Sequence, residues 1–230
     1  MGFDYLVWLE EVDSTQDVLK SFEFPFGTVV VAKRQRKGRG RQGREWHSQE
    51  GGLYFSFLLN SEEFKEVPPL PLVIGLAVCN YLIELGFYPS IKWVNDVYLK
   101  GKKVCGVLVE KQKEKLICGV GFNVNQETLP PEAISLYMVD GVKRDLRKTL
   151  SSLLDHIDKS LEEFKSSGFS PFKDRIEERL MFLGQEVILM TEPPTVGILK
   201  GLSEDGSLIL QTSKGDVKVI SGDITLRPYV

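Results

Sequence analysis

The segment YLVWLEEV, from Tyr5 to Val12, reads as a strand, and Asp13, Ser14 and Thr15 follow it with residue types that cap a short helix reaching Phe22. Ser14 and Asp17 have the spacing of a capping box. β-Branched residues from Thr28 to Lys33 predict a second strand, and LYFSFLL, from Leu53 to Leu59, alternates aromatic and small residues as a third. Between Pro71 and Leu85 apolar residues fall almost all round a helical wheel, so that helix must be buried, and Gly86 should stop it. Ile91 to Val94 begins another strand. VYLKGKKVCGVLVE and KLICGVGFNVN then read as antiparallel strands, turning near Lys100-Gly101 and at Gln112 to Glu114.

From Leu146 the pattern changes period. Leu150, Leu153, Leu154, Ile157, Leu161 and Phe164 recur three and four apart, which marks one face of a helix, and a second helix is expected from Pro171 to Leu183. After Gly184 it changes again, to short strands in EVILM, TVGILKGL, SLILQT and DVKVIS, punctuated by Glu-Pro-Pro and Asp-Gly. The expected organisation is a mixed α/β body of α+β type over residues 1–184, with a largely antiparallel sheet, and a small β-barrel over 185–230.

Composition narrows the function classes. At 230 residues and 42% hydrophobic, the chain can bury one sizeable core with a small satellite. Its formal net charge of -3 disfavours nucleic acid and anionic lipid as general partners. Three scattered cysteines, Cys79, Cys105 and Cys118, match neither a disulfide framework nor a zinc signature. The N-terminal stretch has acids where a secretory signal would be basic, and no apolar run reaches about 18 residues. A cytoplasmic protein with no membrane partner is expected.

Against that acidic background stands KRQRKGRGRQGREW, with seven cations and three glycines from Lys33 to Arg44 and no carboxylate among them. A solvated loop and a nucleic-acid arm are two readings of it. A third is a loop folding over a small anionic ligand, glycine admitting backbone N–H groups to phosphate and arginine forks binding it. Such an unpaired cluster should be mobile until phosphate neutralises it. Further along, IKWVNDVYLKGKKVCGVLVE brings Lys92, an Asn95-Asp96 turn and Lys103 close to Gly106.

Taken in order, DSTQ (13–16), QRKGRGRQGREW (35–46), KWVND (92–96), KKVCGVLVE (102–110) and GVGFNV (119–124) resemble the biotin protein ligases over nearly the whole chain. Val94 stands where that family commonly has proline, Gln42 where it has another arginine, and Gln16 where asparagine is frequent. The resemblance implies a class II synthetase-like catalytic domain with a C-terminal SH3-like barrel. It further implies the monofunctional form, without the DNA-binding domain that bifunctional members carry, since 13 residues precede Ser14. The implied reaction activates biotin with ATP and Mg²⁺ as biotinyl-5′-AMP. Biotin then passes to one lysine of the biotin carboxyl carrier protein of acetyl-CoA carboxylase.

Residue roles follow by the same resemblance. Lys103 and Arg41 are the expected catalytic residues, Lys103 bridging biotin carboxylate and α-phosphate. Ser14, Thr15, Gln16, Gln35, Gly38, Arg39, Gly40 and Gly106 join them in holding biotin. Arg39, Arg41, Arg44, Trp46, Lys92, Asn95 and Asn123 are expected on ATP or the adenylate, and Asp96 on Mg²⁺. His47 and His156 are expected to be surface or structural. A lipoate ligase of the same fold and a nucleic-acid-binding module remain the competing readings, and a homodimer is one assembly the sequence leaves open.

Overall fold

A chain segment buried on both faces must find cover on both, and LYFSFLLN, strand β3, is such a segment. In the computed structural model, which describes residues 2–190 and 193–220 and the backbone of 226–228, β3 lies inside a seven-stranded sheet. The strands are β1 (Tyr5–Val12), β2 (Thr28–Gln35), β3 (Leu53–Asn60), β4 (Ser90–Lys92), β5 (Asp96–Leu99), β6 (Lys102–Gln112) and β7 (Lys115–Phe122), in spatial order β1-β2-β3-β7-β6-β5-β4. Only β1 and β2 run parallel; they are joined by the crossover helix α1 (Thr15–Ser21), and every other pair is antiparallel. Lys100 and Gly101, both at positive φ, make the tight turn between β5 and β6.

Helices α2 (Leu70–Glu84) and α4 (Leu146–Ser167) cover one face of the sheet. The apolar stripe of α4 is buried as its spacing predicts, at Leu150, Leu153, Ile157, Leu161 and Phe164. Asp145 caps this helix, its carboxylate accepting from the N–H groups of Arg147 and Lys148. Helix α1 covers part of the opposite face through Leu19, which packs with Val30, Leu58 and Ile117. The short helix α3 (Leu136–Asp140), which the apolar pattern did not reveal, begins at a Ser135 cap.

Two expectations change. The helix expected over Pro171 to Leu183 is α5 (Ser170–Glu177), and it stops early because the chain beyond it pairs with the sheet edge: Ile91 N–H donates to Arg179 O at 2.8 Å, and Met181 N–H to Ile91 O at 2.9 Å. The capping box at Ser14 does not form, since its side chain makes no cap bond and Asp17 is bound elsewhere.

The C-terminal strands β8 (Glu186–Leu189), β9 (Thr195–Leu202), β10 (Leu208–Thr212), β11 (Gly215–Val219) and β12 (Leu226–Pro228) form a separate antiparallel sheet, ordered β11-β10-β9-β8-β12, as fits an SH3-like domain. Glu192 of the Glu-Pro-Pro turn and Ser221 of DVKVIS lie outside the described residues. Glu177 of α5 ties this sheet to the body, accepting from Leu202 N–H at 2.6 Å. No helix among the described residues is long and apolar enough to cross a membrane.

Leu153, with no exposed surface, stands in the α4 stripe. Leu153→Ala should destabilise the protein by about 2–5 kcal/mol, read as a lowered urea midpoint at unchanged slope. A loss under about 1 kcal/mol would show that this contact collapses around the cavity.

Candidate active site

Side chains alternate across a strand, so β3, β6 and β7 send Phe55, Val107 and Val120 into the core and Ser56, Gly106, Gly119 and Gly121 to the other face. Register lines these up, Gly106 opposite Gly121 and Ser56 opposite Gly119. Beyond the cover of α1 the sheet therefore presents bare backbone. The side chains of Trp46, Gln16 and Lys103 lie on it. A methyl group on Gly121 would fall 2.3 Å from Trp46 Cε2, one on Gly106 2.9 Å from Trp46 Cζ3, and one on Gly119 2.8 Å from Gln16 Cδ.

The loop from Arg36 to Trp46 crosses this face. Its start is held by Arg36 N–H donating to Val12 O at 2.9 Å and Lys37 N–H to Asp13 O at 2.8 Å, its end by Trp46 N–H donating to Gly38 O at 2.9 Å. Gly38 is buried where a side chain would meet Ser48 Oγ and Trp46 O at 2.4 and 2.5 Å. Most of the charges are paired, contrary to expectation. Lys33 meets Glu10, Arg34 meets Glu50, Arg36 meets Glu11 and Asp13, and Lys37 meets Asp13; Arg39 binds Asp17 through both terminal nitrogens, at 3.2 and 2.6 Å. The acids come from β1, the β1–α1 connection, α1 and the chain after Trp46, so proximity in sequence could not reveal them. Lys37 and Arg36 hold the Asp13 carboxyl below its ordinary range.

Two adjoining chambers result. In the first, of about 40 Å³, Ser14, Thr15, Gln16 and Gln35 stand near Arg39, Trp46 and Gly106. Thr15 N–H donates to Gln35 Oε1 at 2.9 Å, Gln35 Nε2 to Ser48 Oγ at 2.8 Å, and the Thr15 hydroxyl shares a 2.7 Å bond with Ser56. Gln16 Nε2 donates to the carbonyls of Leu108 and Ile117 at 3.1 and 3.3 Å, bridging β6 and β7. The second chamber, of about 230 Å³, collects Arg41, Arg44, Lys92, Asp96 and Asn123. Gly40, Trp46, Asn95 and Lys103 border both.

Lys103 is the junction. Its ammonium lies 2.8 Å from Asp96 Oδ1, a charge contact without hydrogen-bond alignment, and 5.0 Å from the centre of the Trp46 ring. Its backbone is fixed by Lys103 N–H donating to Glu132 O at 2.9 Å and Lys103 O accepting from Ile134 N–H at 2.9 Å. Asn95 Nδ2 donates to Val107 O at 3.0 Å, and buried Asn123 accepts from Gln126 Nε2 at 3.0 Å. His47 is exposed at the second chamber, whereas His156 is structural, 3.1 Å from Glu84.

Apart from Gly38, which lines neither chamber, the sequence-predicted residues converge, but several wall residues were missed. Gly119, Gly121 and Ser56 show their place in the wall only once register is known. Tyr98 lines the second chamber, its hydroxyl pushed up to about 12 mainly by burial, and Leu129 to Ala133 close the far side. A parallel bridge between Lys103 and Ala133 brings that segment in, and the Pro130-Pro131 pair was its one sequence mark.

This sheet, with an acidic body around a glycine-floored cationic crevice and a small antiparallel sheet beside it, places the protein among ligases that must gather anions. Residues 8–126 match the Biotin/lipoate A/B protein ligase family and residues 182–227 the Biotin protein ligase C terminal domain. The chain belongs to this family, on its biotin protein ligase branch. It is 35% identical to the bifunctional ligase/repressor BirA of Bacillus subtilis, over 96% of this chain and 74% of that protein. It is 30% identical to the biotin--[acetyl-CoA-carboxylase] ligase of Mycobacterium tuberculosis, over 86% of this chain and 78% of that one. The Aquifex aeolicus biotin protein ligase, solved in complex with biotin and ATP, superposes with a TM-score of 0.93 at 48% identity, covering 98% of this chain and all of that one.

A chamber of about 40 Å³ holds a few waters, not a fused bicyclic ligand, because the Trp46 ring occupies the glycine floor. Biotin binding in this chamber should displace that ring. Saturating biotin is expected to change tryptophan fluorescence in the wild type and leave Trp46→Phe unchanged, although Trp8 and Trp93 remain. An equal change in both proteins would show that the ring stays in place.

Proposed function

We propose that the two chambers divide the reaction, biotin in the first and ATP in the second, with Lys103 where their reacting ends meet. The protein is an ATP-dependent ligase that makes biotinyl-5′-AMP and transfers biotin to a carrier lysine. The biotin carboxylate attacks the α-phosphorus, pyrophosphate leaves with the bridging oxygen, and the mixed anhydride then gives its acyl group to the lysine amine as AMP departs. Two anions must approach in the first step, so neutralisation and positioning dominate its barrier. The observation carrying this reading is Lys103 bordering both chambers, with its ammonium beside Asp96.

Arg41 and Arg44 line the nucleotide chamber, where they would hold phosphate and retain the adenylate. Arg39 would exchange its Asp17 partner for ligand. Asp96 suits Mg²⁺: its buried Oδ1 accepts no hydrogen bond, and this ion commonly takes one or two carboxylates with phosphates and water filling its shell. No group of three or more acidic, His or Cys ligands converges among the described residues, so the phosphates must complete the site. Bound there, the ion would offset phosphate charge.

The proposed carrier is the biotin carboxyl carrier protein of acetyl-CoA carboxylase, the enzyme named for the Mycobacterium relative. Work without DNA is supported by the net charge of -3 and by the acids that pair the basic run. A division at residues 184 and 185 fits the change of sheet, and β1, an edge strand, is open to a second copy of the chain. Cytoplasmic location is supported by three free cysteines, all buried; burial raises the Cys79 thiol to about 12. The lipoate reading is not favoured, since the relatives and the C-terminal match are those of biotin ligases.

The test is biotin-dependent exchange of pyrophosphate into ATP, which the wild type should catalyse and lipoate should not replace. Lys103→Ala should slow it about 100-fold or more, the scale of one deleted electrostatic donor. A loss below about tenfold would remove Lys103 from that role.

A further inference from the structure

Trp93 is 3% exposed, and its indole N–H reaches away from the sheet to donate to Gly206 O at 2.9 Å, in a buried bond spanning 113 residues. Gly206 belongs to the turn between β9 and β10. At φ +79° it closes a tight loop in which Ser203 N–H donates to Ser207 O and Gly206 N–H to Ser203 O, at 2.8 and 2.9 Å. The turn is wedged on the body: a methyl group at Gly206 would lie 3.0 Å from Pro69 Cβ and 3.4 Å from Leu72 and Phe169.

The residues flanking Lys92 are thus both held from the C-terminal half. Ile91 is paired to the chain at 179–181, and Trp93 to Gly206. Between and just beyond these anchors stand Lys92, Asn95 and Asp96, which all line the second chamber. β4, three residues long and last in the sheet, has only β5 as a strand partner. We infer that Trp93 is a positioning residue through which the β9–β10 turn sets the geometry of the 92–96 segment, making the nucleotide end of the site dependent on the C-terminal sheet. This rests on the assignment of ATP to the second chamber. Biotin binding depends on it little, because Ser14, Thr15, Gln16 and Gln35 are placed by α1, β2 and β3.

Trp93→Phe keeps an aromatic ring and removes the N–H donor, leaving a buried carbonyl without its partner. Gly206→Ala keeps the donor and disturbs the acceptor, since alanine is strained at φ +79° and crowds Pro69. Each variant, assayed well below its melting temperature, should lose about tenfold in kcat/KM for ATP in the exchange reaction while biotin affinity, by equilibrium binding, stays within about twofold. The double variant should be no worse than the weaker single one. If Trp93→Phe does not fold, Gly206→Ala alone carries the test. ATP kinetics within about twofold of wild type, an equal loss of biotin affinity, or additive losses in the double variant would overturn the inference. Absence of exchange in the wild type would instead sink the ligase reading.

Discussion

Everything at the crevice depends on the two-residue alternation of β3, β6 and β7. One face of these strands is packed with Phe55, Phe57, Val107, Val120 and Phe122, so register cannot slip by one residue without turning a buried aromatic outward. Fixed register then decides what the other face carries. Under α1 it carries Leu58 and Ile117; further along it carries glycine. The same alternation therefore builds a hydrophobic seat for a helix and, a few residues on, a strip of exposed backbone on which Trp46 and Gln16 lie.

Charge is organised by a different rule. Most of the basic run is matched by acids from β1, the β1–α1 connection, α1 and Glu50, and the pairs are substantially exposed; Arg39 and Asp17 keep 36% and 38% of their side-chain surface. Exposed pairs are worth about 0.2–1 kcal/mol each, less than a charge-assisted bond to a phosphate in an enclosed chamber. Such partners place the loop without competing strongly with a ligand. Mobility argued from self-repulsion loses its premise, and whatever motion the loop has must come from its three glycines and its few backbone anchors.

The sequence made the secondary structure legible wherever one periodicity ran without competition, as in β3, α2 and α4. It misled where a tertiary partner overrode local preference: the chain after Glu177 leaves the helix to pair with Ile91, and the Asp17 carboxylate, the far half of a capping box, binds Arg39 instead. The site followed the same division. Lys103, Asp96, Asn95, Trp46 and Gln35 stand in motifs dense enough to be read. Gly121, Ser56 and the Leu129 to Ala133 wall take their places through register or a long-range bridge, which the letters GVGFNV and Pro130-Pro131 do not by themselves reveal. The indole bond from Trp93 to Gly206 is of that kind too.

Lys103 combines both sorts of placement. Its peptide is bound on each side, by Glu132 O and Ile134 N–H, and its carbonyl also accepts from Asn123 Nδ2 at 3.5 Å, so the Cα position is set by β6, β7 and the far wall together. Its ammonium is held by an unaligned charge contact with Asp96 and by the face of Trp46. A half-buried cation is poorly solvated by water alone, and these two contacts satisfy it at little geometric cost. For a carboxylate and a phosphate to replace them, only side-chain torsions would need to change. A rigid backbone under an exchangeable set of side-chain contacts would let one lysine remain stable in the fold and still meet two anions together, the role proposed for Lys103.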